Sequence, residues 1–171
     1  MIYEVRDELI SMLISIAPDY QQLLKPSSTE EAIRNLEEAL EVALPRDYRE
    51  FLKSHNGCHR ERLLIAFSLF GVDEIVSKTK RLREDLKESS RNFADGGWDS
   101  QKLSIGDSHV GWTLAIDCSS GTPFVYAQSN YALPLAGSFL EYLVGLKDNL
   151  RDGRYQVVRG NVFMVEWGQR F

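Results

Sequence analysis

Apolar residues recur at helical spacing at Ile2, Val5, Leu9, Met12, Leu13 and Ile16, until Pro18 interrupts, which predicts a first helix over residues 2–16. Tyr20, Leu23 and Leu24 extend the stripe by one turn before Lys25-Pro26-Ser27 forms a linker. The stretch from Ser28 to Gly57 then reads as a helix, a proline-marked corner, a second helix and a glycine stop. Ser28 and Glu31 stand three apart ahead of Ile33, Leu36 and Leu40, the spacing of a capping box. Pro45 opens the second helix, which repeats Tyr48, Phe51, Leu52 and partly His55 on one stripe, and Asn56-Gly57 is expected to end it through a left-handed cap. Two such short helices cannot bury their apolar faces alone, so they must dock on something larger.

The apolar run from Leu63 to Phe70 predicts a strand, and Val72, Ile75, Val76, Thr79, Leu82 and Leu86 predict a third long helix. The Gly, Asp, Ser and Asn of SRNFADGGWDSQ mark an exposed loop that carries Trp98. From Leu103 the period changes to two. LSIG, a turn at Asp107-Ser108, WTLAID, a turn at Ser119-Ser120-Gly121 and PFVYAQ read as a meander, with Trp112, Leu114 and Ile116 on one face and Pro123 at a strand's first position or an edge. Ser138 and Glu141 repeat the capping-box spacing ahead of Phe139, Leu140, Leu143, Leu146 and Leu150, a last amphipathic helix ending before Gly153. Residues 154–167 look like two strands around Gly160-Asn161. No internal repeat or low-complexity tract is present. The whole predicts an α+β fold, a mostly antiparallel sheet flanked by several helices.

Charge narrows the partner. The 171 residues carry a net charge of −5, which argues against general nucleic-acid binding and favours a basic or cationic partner. Residues 30–50 hold seven acidic and three basic side chains, whereas residues 78–91 hold six basic and three acidic ones, so the surface is expected to be electrically two-sided. The first ten residues mix both charge signs, unlike a secretory signal, and the Leu63–Val72 stretch is too short to span a bilayer. These features lead to the expectation of a soluble, cytoplasmic protein that does not bind membranes. Cys58 and Cys118 make no disulfide framework.

Catalytic chemistry finds little to build on. His55, Cys58 and His59, with Cys118, could supply four zinc ligands, but their spacing matches no two-pair pattern, and no metal or cofactor is expected. His55 reads more simply as a cation at its own helix end. A Cys58-His59 nucleophile pair lacks an orienting third group. Asp95, Asp99, Asp107 and Asp117 could form a carboxylate dyad, yet turn chemistry explains them, and no phosphate loop or dinucleotide fingerprint is present.

EEAIRNLEEALEVALPRDYREFLKSHNG resembles the hallmark of the SUKH superfamily, the Smi/Knr-like domain: an acidic helix, Leu44-Pro45, Asp47-Tyr48, Phe51-Leu52 and Asn56-Gly57 at the family's intervals. LFGVDEIV, LSIGDSHVGWTLAID, GTPFVYAQ and SFLEYL follow in the family's order. Cys58 stands where the family commonly has a second glycine, and Gly111-Trp112 where it commonly has Gly-Asp or Gly-Asn. The resemblance implies a single domain over residues 1–171, with a family-like core at about 28–148 and with helix 2–16 and the hairpin at about 154–167 as extensions. It also implies no enzymatic activity and a trade in binding: bacterial members look like immunity proteins that sit on a cognate secreted toxin, often a nuclease, and fungal relatives act as intracellular scaffolds. Three classes therefore stay open: a toxin-neutralising binder, a scaffold and a small hydrolase. For the binder, the expected contact surface is the acidic helix face at Glu30, Glu31, Glu37, Glu38 and Glu41, together with Trp98, Asp107 and Trp112. For Trp98 the leading reading is nonetheless a lid folded back on the core, with partner contact behind it.

Overall fold

The computed structural model describes residues 2–58, 67–89, 98, 100–108, 111–119, 124–128, 132–158 and 161–164. In chain order its elements are α1 (Ile2–Ile16), a 3-10 helix (Pro18–Leu23), α2 (Glu30–Leu40), α3 (Arg46–Leu52), β1 (Ser68–Leu69), α4 (Val72–Ser89), β2 (Lys102–Asp107), β3 (Thr113–Asp117), β4 (Phe124–Gln128), β5 (Ala132–Ala136), α5 (Phe139–Arg151), β6 (Tyr155–Val158) and β7 (Asn161–Met164). β1 to β5 form an antiparallel sheet in sequence order, and β6 and β7 form a separate hairpin. The α+β architecture is the one expected.

The first helix ends where Pro18 stops it, and its Leu9 and Leu13 are buried. α1 lies along α5, and Glu8 joins the two by accepting from Lys147 at 3.0 Å and Arg151 at 2.7 Å. α2 begins one residue later than the Ser28–Glu31 spacing predicts. Thr29 is its N-cap and accepts from the Ala32 amide at 3.1 Å, because the Ser28 amide is already committed to the Leu52 carbonyl. Glu41, in the left-handed region at φ 56°, closes the helix. At α5 half of the predicted box is present: Ser138 accepts from the Glu141 amide at 3.0 Å, while the Glu141 carboxylate reaches one residue past Ser138, to the Gly137 amide at 2.9 Å.

Asn56-Gly57 does not cap α3. The helix ends at Leu52, and Lys53 keeps right-handed geometry. Instead, Asn56 Oδ1 accepts from the Val72 amide at 2.7 Å, satisfying the first turn of α4 from a distance. Gly57 sits where three segments meet: its carbonyl takes the Lys25 amide, its neighbour Cys58 bridges to Leu24, and the Cys58 amide bonds the Leu69 carbonyl at 2.9 Å. Pro45 is the N-cap of α3 and not its first-turn residue.

Leu36, Leu40, Phe51 and Leu52 are all buried in the main core cluster, as their spacing predicts. That cluster also contains Leu103, Ile105 and Leu114 of the sheet. α2 packs on α4, and α3 packs on α1 and α5, while α4 lies against β2 and α5 against β4 and β5. The acidic and basic helices are therefore neighbours, which replaces the two-sided surface with adjoining stripes of opposite sign.

Leu69 and Phe70 are buried at the end of the Leu63–Phe70 run; Leu63 to Ala66 lie outside the described residues. Thr79, on the apolar stripe of α4, is fully buried and accepts from the Ser104 amide at 3.1 Å, at the point where the β2–β3 ladder slips by one residue. Trp112 lies just before β3, and Ser108 closes the turn by bonding the Trp112 amide and carbonyl, both at 2.9 Å. β5 was not expected from the pattern, since Pro134 sits at its centre; an outermost strand tolerates the missing amide. In the hairpin, Val158 pairs Asn161, so the two intervening positions are residues 159–160 and Asn161 already belongs to β7.

Candidate functional site

The α2–α3 corner is held by charge. Arg49 on α3 bonds both Glu30 and Glu37 of α2, and Lys53 bonds Glu30 and Glu50, each at 3.1 Å. Glu37 is mostly covered, at 20% side-chain exposure, and its other carboxylate oxygen accepts from the Leu44 amide at 3.0 Å, so it fixes the path of the corner. The Lys53 and Arg49 bonds hold the Glu30 carboxyl below the usual carboxylate range. Asp47 joins this corner to α5: its two oxygens accept from the Tyr48 and Leu140 amides, both at 2.8 Å.

The five glutamates thus have different surroundings. Glu30 and Glu37 are engaged by α3, Glu38 makes a loose 3.6 Å contact with Arg34, and Glu31 and Glu41 are exposed. Arg83 of α4 reaches the carboxyl end of α2, donating through Nη1 to the Leu40 carbonyl at 3.3 Å and through Nη2 to the Ser100 carbonyl. Ser100 is two residues from Trp98, which is half-buried with its indole Nε1 enclosed and without an acceptor among the described residues. Arg83 therefore draws Trp98's segment to the end of α2 that carries Glu38 and Glu41.

Asp107 and Trp112 lie elsewhere, together. Thr113 is the ladder partner of Asp107, and Trp112 directly precedes it, packed against the core. Asp107 lines a groove against α4 to which none of the α2 glutamates contributes.

His55, Cys58 and Cys118 do not form a metal-holding group among the described residues; His59 lies outside them. Cys58 is buried and its Sγ accepts from the Leu69 amide at 3.1 Å, while burial pushes the Cys118 thiol up to about 12. The raised value keeps Cys118 a thiol, not a reactive thiolate. Asp117 turns its Oδ1 to the Ser119 amide and hydroxyl, the turn chemistry expected of it, and Asp95 and Asp99 are outside the described residues. Among the described residues no helix is long and apolar enough to cross a membrane.

His55 is not a helix-end cation. Burial against the Phe51 ring, then the nearby Arg6, push its pKa below the usual imidazole value, with Asp7 opposing, and Nδ1 has no partner among the described residues. The depressed folded value means that its contribution to stability is complete above the unfolded pKa of about 6.5 and is lost as the pH falls below it. Urea unfolding at pH 8 and pH 5 is expected to show the wild type losing more stability on acidification than His55→Gln. Equal losses would show that His55 titrates as a free imidazole.

Sequence reasoning did not anticipate Arg49, Lys53, Arg83 or the groove beside Asp107. Only the clustering of basic residues opposite glutamates could have signalled the first two. No curated protein matches the chain. Residues 27–145, well over half of the chain, match the family model described as SMI1/KNR4 (SUKH-1), and the chain belongs to that family.

Proposed function

We propose that the protein neutralises a cognate toxin, of the basic nuclease kind, by covering part of its surface. Domains of its family are known for immunity-type protein binding and are generally non-enzymatic. The observation that carries the reading is the corner assembled by Arg83, where exposed carboxylates at the end of α2 adjoin the segment of Trp98. Exposed carboxylates steer a basic partner in and set the salt dependence of association. A tryptophan supplies a large, rigid contact that holds the complex once formed. Glu31, Glu38 and Glu41 serve the first task, and Trp98 the second. Glu30 and Glu37 serve it less, because Arg49 and Lys53 already balance their charge. Asp107 and Trp112 form a second edge of the contact surface.

The test needs the product of a neighbouring toxin gene. Trp98→Ala is expected to weaken binding by ~2 kcal/mol or more, chiefly through faster dissociation. A Glu38→Ala/Glu41→Ala double variant is expected to slow association at low salt and to match the wild type at high salt. If variants verified as folded bind normally, or no toxin partner exists, this reading fails and an intracellular scaffold role replaces it. Hydrolysis by the isolated protein would instead revive the enzymatic alternative.

A further inference from the structure

Between α4 and the β2–β3 ladder lies a groove of about 360 Å³. Lys78, Arg81 and Asp85, at helical spacing on α4, form one wall, and Ser104, Asp107 and Thr113 form the other. The charges in it are incompletely used. Lys78 is half-buried with its Nζ over the Phe70 ring, 5.7 Å from the centroid, and no carboxylate lies within ion-pairing distance of it among the described residues. Asp107 is half-buried on the opposite wall, and its carboxylate makes no hydrogen bond or ion pair among the described residues. Arg81 has only a 3.8 Å contact with Asp85, between side chains 78% and 62% exposed, a pairing of little strength in water.

A partly covered ammonium and a partly covered carboxylate that face one space would ordinarily pair, because each has lost hydration. Here they are held apart, and the space between them is the groove. A ligand of one sign would satisfy one wall and be repelled by the other. We propose that the groove receives an extended segment of a protein partner that presents one acidic and one basic side chain on the same face. The acidic side chain meets Lys78 and Arg81, and the basic one meets Asp107. The volume is at the small end for ligand sites and suits two or three residues, not a folded surface. In an extended segment, residues i and i+2 point to the same side, which sets the spacing of the two charges. The groove shares no residue with the Trp98 corner, but it contains Asp107, placed above on the second edge of the toxin-contact surface, so its test uses small peptides with no toxin present.

The experiment titrates isotope-labelled full-length protein with acetyl-Glu-Ser-Arg-amide and, separately, with acetyl-Gln-Ser-Gln-amide, following backbone amide shifts. Saturable shifts at Ser104, Asp107 and Thr113 are expected with the charged peptide, with affinity at least ~10-fold lower for the neutral one. Lys78→Gln and Asp107→Asn are each expected to weaken charged-peptide binding at least ~10-fold; Asp107→Asn should leave the urea midpoint unchanged, since its carboxylate has no ionic partner among the described residues, and Lys78→Gln should lower it by no more than the loss of the Phe70 ring contact. The absence of saturable shifts, equal affinity for both peptides, or unchanged affinity in both variants would overturn the proposal. A stability loss in both variants would also overturn it, by showing that Lys78 and Asp107 pair with each other in solution.

Discussion

Phe51→Ala is expected to cost ~3–5 kcal/mol of folding stability. Phe51 is 4% exposed and belongs to an aromatic cluster: it stacks with Tyr48 at 6.4 Å, meets Phe139 edge-on at 5.0 Å, and Phe139 in turn meets Tyr48 at 4.7 Å and Tyr142 at 6.0 Å. His55 completes the set on its other side at 6.3 Å. Truncation removes the ring that joins α3 to the first residue of α5, and the neighbours cannot collapse into the space, because Tyr48 and Phe139 are held by the Asp47 bonds to both helix starts. Glu38→Ala, on the exposed face of α2, is expected to stay within ~0.5 kcal/mol. Urea denaturation compares the two, and equal midpoint shifts would show that α3 does not face the core.

Gly57→Ala is the second large effect, at ~2–5 kcal/mol. Gly57 has φ +79°, where an L side chain costs ~1–2 kcal/mol, and a Cβ built on it would stand 2.5 Å from the Leu69 carbonyl oxygen and 2.6 Å from the Phe70 carbonyl carbon. Those atoms are backbone of β1 and its exit, so no side chain can swing aside, and overpacking adds ~1–3 kcal/mol. Gly145 provides the contrast. It lies inside α5 with nothing within 4 Å of a Cβ, so Gly145→Ala is expected to stabilise by ~0.5–1 kcal/mol through helix propensity. Thermal unfolding of the two variants should move in opposite directions. A neutral Gly57→Ala would mean that the crossing of residues 24–25, 57–58 and 68–70 can spread without penalty.

Features written into local spacing were legible in the chain, and features made by distant encounters were not. Pro18, Ser138 and the apolar stripes mark helix limits through their own backbone chemistry, so α1, α4 and α5 could be read with their faces. Asn56-Gly57 was legible as a special dipeptide but not as to its role, because its partners, Val72 for the Asn56 side chain and Lys25 for the Gly57 carbonyl, come from distant parts of the chain. β5 was hidden because Pro134 counts against a strand everywhere except at a sheet edge, and edge position is a property of the assembled sheet. The candidate site divides in the same way. Exposed glutamates could be named from sequence, but the withdrawal of Glu37 into the corner depends on Arg49 arriving from the next helix. Likewise, the approach of Ser100, two residues after Trp98, to the end of α2 depends on where Arg83 reaches.

The pairing of α1 with α5 sets a condition on how the protein is born. Residues 17–138 separate the two helices, and at ~5–20 residues per second a ribosome needs roughly ten seconds to make them. For that interval α1 has the 3-10 helix and α3 to pack on but lacks α5, the long helix it lies along in the finished fold. α1, made well before α5, thus waits for part of its packing, and a nascent-chain chaperone has its natural window there. Slowing translation ahead of Phe139 should lengthen that window and raise aggregation without altering a single contact of the finished fold.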